Sequence, residues 1–404
     1  MTPHEARSLC LQDDAQAGLD SLRRRNTDAA ALRELLSQAD EGGFSAWDGT
    51  VELTDEWGRR TAMAVHVPSR PAGRRLGALI VLHGAGGSGD QLLPRFAALG
   101  DRLSMAVLCP SAQLPKRTTA NLDLAGLFGN RFRMPQWDMA GRDFPLAALR
   151  WARTELGVDS NRCALTGVSM GGLATWNLGM RFWHSFSAIA PVNGALSVWE
   201  SFGTDRRARS LLPNVLPLPL FVVHGGKDEQ IPARFDRESV RSLRALGHAD
   251  ACYVEVPDGQ HRLETLGLED GSGLFQRLEC WLGGAKRATG SAVLRHRAEE
   301  DFHGRAHWVG ISGITAHQAG EVRARRRPGN QVEIEVSGAA EVTLYLRSDQ
   351  FRSGSEITVL VNGVSTSLRF EPDLATVFSS FREHADPELT AEQVLRIPVP
   401  SPYA

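Results

Sequence analysis

Six short runs between residues 78 and 258 are apolar at nearly every position: ALIVLHG, MAVLCPS, CALTGVS, FSAIAPV, LFVVHGG and CYVEVPD. Unbroken apolar runs are what strands buried on both faces require. Stretches such as DFPLAALRWARTEL and RFDRESVRSLRALG lie between them and repeat apolar residues at helical spacing. Strands alternating with helices in this way predict an α/β fold with a doubly wound, mainly parallel sheet, whose functional groups belong at the carboxyl ends of the strands. Upstream, TVELTD and RTAMAVHVP, joined through EWGR, predict a hairpin that opens the sheet. Leu19, Leu22, Leu32, Leu35 and Leu36 mark one helical face over residues 15–39, with Thr27 or Asp28 capping its second half. After about residue 290 the pattern turns to strict alternation in VEIEVSG, VTLYLRS and ITVLVNGVSTSLRF, with Asn362-Gly363 as a tight hairpin turn and a helix over DLATVFSSFREHA. The expected organisation is a helical N-terminal extension (1–45), an α/β domain (46–288) and a small β-rich C-terminal domain (289–404).

Composition narrows the class. The 404 residues are 42% hydrophobic and carry 45 Lys and Arg against 47 Asp and Glu, a net charge of −2, so no overall field favours nucleic acid or an anionic membrane. Arg323, Arg325, Arg326 and Arg327 run into a Pro-Gly-Asn turn and read as the solvated end of a hairpin. The five cysteines are widely spaced, odd in number and contain no CxxC pair, which argues against disulfides and structural zinc. With a polar, acidic stretch from Glu5 to Asp14 and no apolar run of membrane length, the expectation is a soluble, cytoplasmic protein without a metal or cofactor; a homo-oligomer is left open.

The chemistry concentrates at the ends of the apolar runs. A serine hydroxyl attacks a carbonyl only with an imidazole to take its proton and a carboxylate to fix that imidazole. LTGVSMGG places Ser169 between a strand and a helix, with glycines two residues to either side so that a sharp turn can close. Asp228 follows the next apolar run but one, in VVHGGKDEQIP, and His261 follows the last, in VEVPDGQHRLE. Glu229 and Asp258 are rival acids, but Asp258 stands only three residues from His261 in one loop, a poor position for reaching behind the ring. The oxyanion formed on attack needs two backbone donors, expected at Met170, immediately after the serine, and at Ala85 in VLHGAGGSG. His83 in that loop precedes the serine, so a structural hydrogen bond is its expected task.

These segments, with the fuller context ELGVDSNRCALTGVSMGGLATWNLGMRFWHSFSAIAPVNGA, resemble the α/β-hydrolase superfamily of serine hydrolases. They look like its branch of polyhydroxybutyrate-depolymerase-like and feruloyl-esterase-like carboxylesterases and predicted peptidases related to prolyl oligopeptidase. The resemblance covers roughly residues 50–285 and implies Ser169 as nucleophile, Asp228 as acid, His261 as base, and Ala85 and Met170 as the oxyanion hole. It implies a serine esterase acting on a small-molecule ester through an acyl-enzyme, without metal or organic cofactor. A peptidase or amidase, or an acyltransferase, would use the same triad; a non-catalytic binding protein is the remaining alternative. Many secreted members carry a leader and disulfides that this chain does not show. The N-terminal helices lie outside the likeness, and the C-terminal β module is similar to accessory domains of some esterases.

Residues 111–142 form a connection too long for an ordinary loop of such a sheet, and read either as a lid or substrate wall with Phe128, Phe132, Met134 and Trp137 as apolar contacts, or as a self-packed loop. Asp143, ahead of Phe144-Pro145, reads as a helix cap. His303 and His307, four apart around a glycine, read as ordinary surface histidines.

Overall fold

The computed structural model describes residues 1–39, 42–114, 135–196, 206–315 and 318–400. The chain divides into two units, Glu41–Arg287 and a second made of Met1–Asp40 with Ala288–Ala404. It opens with helices α1 (Pro3–Leu11), α2 (Ala15–Arg24) and α3 (Ala29–Ser37), which belong to the second unit.

The Glu41–Arg287 unit is built on one eight-stranded sheet. The hairpin strands β1 (Trp47–Thr54) and β2 (Arg60–Val67) pair antiparallel from Trp47 opposite Val67 to Thr54 opposite Arg60. Then follow β3 (Gly77–Leu82), β4 (Met105–Pro110), β5 (Cys163–Val168), β6 (Ala188–Val192), β7 (Leu220–Gly225) and β8 (Ala251–Val256). Their spatial order is β1-β2-β4-β3-β5-β6-β7-β8; β2 runs antiparallel to β4, and every pair from β4 to β8 is parallel. Strands β3, β4, β6 and β7 are buried along their whole length, as their unbroken apolar runs require. Of the six parallel strands, β8 at the sheet edge is the one that stays half-exposed, and there Tyr253 and Glu255 interrupt the apolar run.

Among the described residues the unit also has helices α4 (Gly89–Leu103), α5 (Phe144–Glu155), α6 (Met170–Arg181), α7 (Arg206–Leu211), α8 (Arg234–Ala245) and α9 (Gly273–Gly284). Phe96 of α4 and Phe275 of α9 meet at 6.2 Å between ring centres over Leu79, Val107, Ala188 and Phe221 of the sheet. Burying a side chain of that size stabilises the fold by roughly 3 kcal/mol, so the two aromatics anchor this layer.

In the second unit α1, α2 and α3 pack on α10 (Leu374–His384), with Cys10, Leu22, Leu32 and Leu36 against Val377, Phe378 and Phe381. The N-terminal helices, expected as an extension of their own, therefore share a core with the C-terminal residues. The helical stretch expected over residues 15–39 is divided in two, and of the two caps expected for its second half Asp28 is the one used, accepting from the Ala31 amide at 2.8 Å. Helix α1 was hidden by its polar surface, yet TPHE carries its start signal: Thr2 and Glu5 exchange backbone and side-chain hydrogen bonds, with Pro3 at the first turn. The strands β9 (Val293–Ala298), β10 (Arg305–Ala306), β11 (Val309–Ser312), β12 (Gly320–Arg327), β13 (Gln331–Ser337), β14 (Glu341–Leu346), β15 (Glu356–Val361), β16 (Val364–Arg369) and β17 (Gln393–Pro398) form two sheets, ordered β16-β15-β13-β12-β9 and β10-β11-β14-β17. Asn362 and Gly363 both take positive φ, 48° and 85°, as the two-residue turn between β15 and β16 demands. The arginine run is the β12–β13 hairpin, with Arg327 paired to Glu333. His303 and His307 are buried, not surface residues; His303 turns its carbonyl to the buried His296 ring, a tertiary contact that their local sequence does not encode.

One histidine of the eight-stranded sheet makes it sensitive to pH. His66 on β2 places Nδ1 2.6 Å from Asp48 of the paired strand β1 and Nε2 2.9 Å from Asp101 of α4. Burial works against its charge, but the two carboxylates outweigh burial and raise its pKa above the ordinary imidazole value. Such a group stabilises the fold fully below the unfolded value of about 6.5 and loses that contribution as pH rises through the raised folded value. His66→Asn should therefore lower the melting temperature at about pH 6 and leave it unchanged well above the raised pKa, by no more than about 1 kcal/mol for each exposed carboxylate partner. Equal losses at both pH values, read by thermal unfolding, would refute the assignment.

Candidate active site

The sheet offers its parallel strand ends at one edge, and the chemistry gathers there. Between β5 and α6 a single residue, Ser169, makes the whole turn, at φ 57° and ψ −117°. A residue with a side chain holds such a conformation at a cost of about 1–3 kcal/mol, which the surroundings must offset. They do so through the Ser169 amide, bonded to the Val192 carbonyl at 2.9 Å, and through the Ser169 carbonyl, which takes the Leu173 amide at 2.9 Å. The flanking glycines are steric necessities: a Cβ on Gly167 would lie 2.4 Å from the Gly171 carbonyl oxygen, and one on Gly171 2.1 Å from that of Leu82.

From the loops after β7 and β8 come the other two groups. Asp228 Oδ1 accepts the amides of Gln230 and Ile231, both at 2.9 Å, and its Oδ2 lies 2.6 Å from His261 Nδ1. Nε2 of His261 lies 2.7 Å from Ser169 Oγ. Burial works against the charge of Asp228, but His224, His261 and the Ile231 amide outweigh it and hold the carboxyl well below the usual carboxylate range. An ionised Asp228 fixes the His261 proton on Nδ1 and leaves the Nε2 lone pair facing the serine hydroxyl. The rival acids stand apart: Asp258 is exposed and paired with Lys227 at 2.5 Å, and Glu229 is exposed. The order of the strands, the antiparallel β2, the forced turn after β5, and an acid and a histidine after β7 and β8 decide the architecture.

This unit has the α/β-hydrolase fold.

The α/β-hydrolase site needs a donor pair beside the serine. The amides of Met170, at the head of α6, and of Ala85, in the loop after β3, have no acceptor among the described residues. That loop lies against the serine, since a Cβ on Gly84 would stand 3.2 Å from Ser169 Cβ. His83 holds it in place: its Nε2 accepts the Ala112 amide at 2.9 Å, so the proton sits on Nδ1 and is donated to the Gly84 carbonyl at 2.7 Å. Burial pushes the His83 pKa below the ordinary value and keeps this ring neutral, in the structural role expected of it.

Two expectations change. Trp137, expected as a candidate substrate contact, is fully buried behind the loop, donating Nε1–H to the His83 carbonyl at 3.0 Å with its ring 4.9 Å from the His83 ring. It supports the loop after β3. Asp143 occupies the position ahead of α5 but does not cap it; its carboxyl takes the Asp138 amide at 2.7 Å, and burial pushes its pKa well above the usual range. Phe128, Phe132 and Met134 lie outside the described residues; the described ends of the 111–142 connection meet in a bridge between Gln113 and Gln136. Among the described residues no three side chains gather as metal ligands, and no helix is long and apolar enough to cross a membrane.

Sequence reasoning missed Asn193. Fully buried and at φ 44°, it accepts the Gly225 amide at 2.8 Å and donates to the Gln260 carbonyl at 2.9 Å, clamping the end of β7 to the residue before His261. Only the positive-φ tolerance of asparagine next to a glycine hints at it in PVNGA.

No family model matches the chain. It is 24% identical to mouse lysophospholipase-like protein 1 over 239 residues, 54% of this chain and 92% of that protein. Among solved structures, it is similar to an S-formylglutathione hydrolase of Staphylococcus aureus at 12% identity and a TM-score of 0.44, covering 61% of this chain and all of that one. It is also similar to an acylaminoacyl peptidase of Pyrococcus horikoshii at 14% identity and a TM-score of 0.45, over 61% of this chain and 43% of that one.

Replacing Asn193 by Ala strands the buried Gly225 amide and takes the donor from the Gln260 carbonyl, so a loss of about 1–3 kcal/mol in stability is expected. Because that carbonyl belongs to the residue before His261, turnover should fall more than thermal stability alone explains. Denaturant unfolding and kcat measured on the same preparation check both.

Proposed function

We propose that this protein is a serine esterase that cleaves small-molecule carboxylic esters by a double displacement at Ser169. One observation carries the reading: the continuous chain Ser169 Oγ to His261 Nε2, 2.7 Å, and His261 Nδ1 to Asp228 Oδ2, 2.6 Å, beside two backbone amides without acceptors among the described residues. As Oγ attacks the ester carbonyl, His261 takes its proton, and the ionised Asp228 stabilises the imidazolium. The Ala85 and Met170 amides receive the developing oxyanion. Collapse passes the proton from His261 to the departing alcohol and leaves an acyl group on Ser169; His261 then deprotonates a water, which releases the acid and restores the serine.

The choice of an ester is supported by the mouse relative, whose name places it among lysophospholipase-like proteins. The five cysteines of this chain, none of them in a disulfide among the described residues, suit a reducing compartment and support a cytoplasmic location. A fluorophosphonate probe should label Ser169, and Ser169→Ala should abolish labelling and cut ester turnover by a factor of roughly 10⁴ or more. Matched ester and anilide substrates of varied acyl length should show the ester preferred. Failure of the wild-type protein to turn over any activated ester, or equal labelling of the Ala variant, would overturn the proposal.

A further inference from the structure

The hydrogen-bonded chain does not stop at Asp228. His224, on β7 four residues earlier, is fully buried, with Nδ1 2.8 Å from Asp236 Oδ2 and Nε2 2.8 Å from the Ile231 carbonyl and 3.4 Å from Asp228 Oδ2. Its partners are carboxylates and a carbonyl. A neutral imidazole has one N–H for these two directions, so the pattern is satisfied only when both ring nitrogens carry protons. An imidazole is more basic than a carboxylate by more than two pKa units, which places the shared proton on His224 and not on Asp236. The far oxygen of Asp236, Oδ1, accepts the indole N–H of Trp176 at 2.8 Å, and Trp176 lies on α6, the helix that begins one residue after Ser169. The network thus leaves the serine, passes His261, Asp228, His224 and Asp236, and returns to the serine's own helix.

We propose that His224 is a positioning residue: a permanently charged imidazolium that keeps Asp228 ionised and aimed at His261. This rests on the reading of Ser169 as the nucleophile. The charged or titratable groups facing His224 are Asp228 from its own loop, Asp236 from α8 and, from the neighbouring strand β8, Glu255, which is paired with Arg237 and bonded by the Tyr253 hydroxyl. Burial alone would drive the proton off His224, but the carboxylates of Asp228 and Asp236 outweigh it and lift its pKa to about 10. With His224 charged, it and its two buried aspartates sum to one negative charge, which the imidazolium of His261 neutralises when it forms. Without that charge two buried carboxylates stand behind His261.

Nitrogen-15 NMR of the ring nitrogens in the full-length protein tests the charge directly. One histidine, assigned to His224 by through-bond correlation to its own backbone, should hold both protons from about pH 5 to about pH 9, where ordinary histidines titrate. The same signal in a neutral form, or titrating with the others, would overturn the proposal whether or not any variant folds. The positioning role is read from kinetics: His224→Gln should lower kcat about tenfold or more with KM changed less than about twofold. It should also move the acidic limb of the kcat/KM profile upward by about one pH unit, because His261 then keeps its proton beside uncompensated charge. Adding Asp236→Asn to that variant removes the excess charge and should return the limb toward the wild-type position without restoring kcat, an effect that mere loss of packing would not give. A folded His224→Gln protein with wild-type kcat and an unmoved limb would refute the role. Absence of fluorophosphonate labelling in the wild type would instead sink the esterase reading and leave the NMR result standing.

Discussion

The backbone of Ser169 is held at φ 57°, a region that a residue with a Cβ enters only when its neighbours give it no alternative. Here the compulsion comes from both sides. Strand β6 takes the serine amide through Val192, and the first turn of α6 takes its carbonyl through Leu173. Because the turn is closed in one residue, α6 starts so near the sheet that Gly171 must lack a side chain to clear Leu82 of β3. The same closeness leaves the Met170 amide at the open head of the helix and sends Trp176, two turns on, to the aspartate behind His224. The half-buried Ser169 hydroxyl, the placing of the Met170 amide and the anchoring of the surroundings of Asp228 all descend from one torsion angle.

Asp228 and His261 ride on separate loops, yet they are not free to move apart. The Gly226 amide bonds to the Val256 carbonyl at 2.7 Å, the Lys227 amide to the Gly259 carbonyl at 2.8 Å, and Asn193 joins Gly225 to Gln260. Backbone bonds of this kind leave side-chain positions open to change while the triad spacing stays fixed. The loop after β3 is secured in a different way, by a neutral histidine ring and a buried indole.

The six parallel strands were readable because burial on both faces demands apolar runs, and the meeting of Ser169, His261 and Asp228 was readable because each falls just past a run, close to glycine. Asn193, Trp137 and His224 escaped that reading for one reason: their partners lie in other loops or helices, and no local spacing reports a tertiary hydrogen bond. Asp143 shows the converse, a residue in the right place for a cap whose side chain prefers the Asp138 amide. Thr2 and Glu5 were legible in principle, since a capping box is a local pattern. Where α1–α3 would dock was not, because an apolar face states that it must be covered and not by what.

That docking carries a consequence for the order in which the protein is made. The first forty residues share a core with residues synthesised only after position 288, so the chain begins a unit, builds the whole α/β-hydrolase, and then finishes what it began. At a ribosomal pace of about 5–20 residues per second the gap lasts on the order of tens of seconds. During that time Leu22, Leu32 and Leu36 have no Phe378 or Phe381 to meet, and their apolar stripe is left to solvent or to a chaperone. The sheet of the Glu41–Arg287 unit is made of that unit's own strands, so all of its residues are synthesised before its companion has a complete sequence.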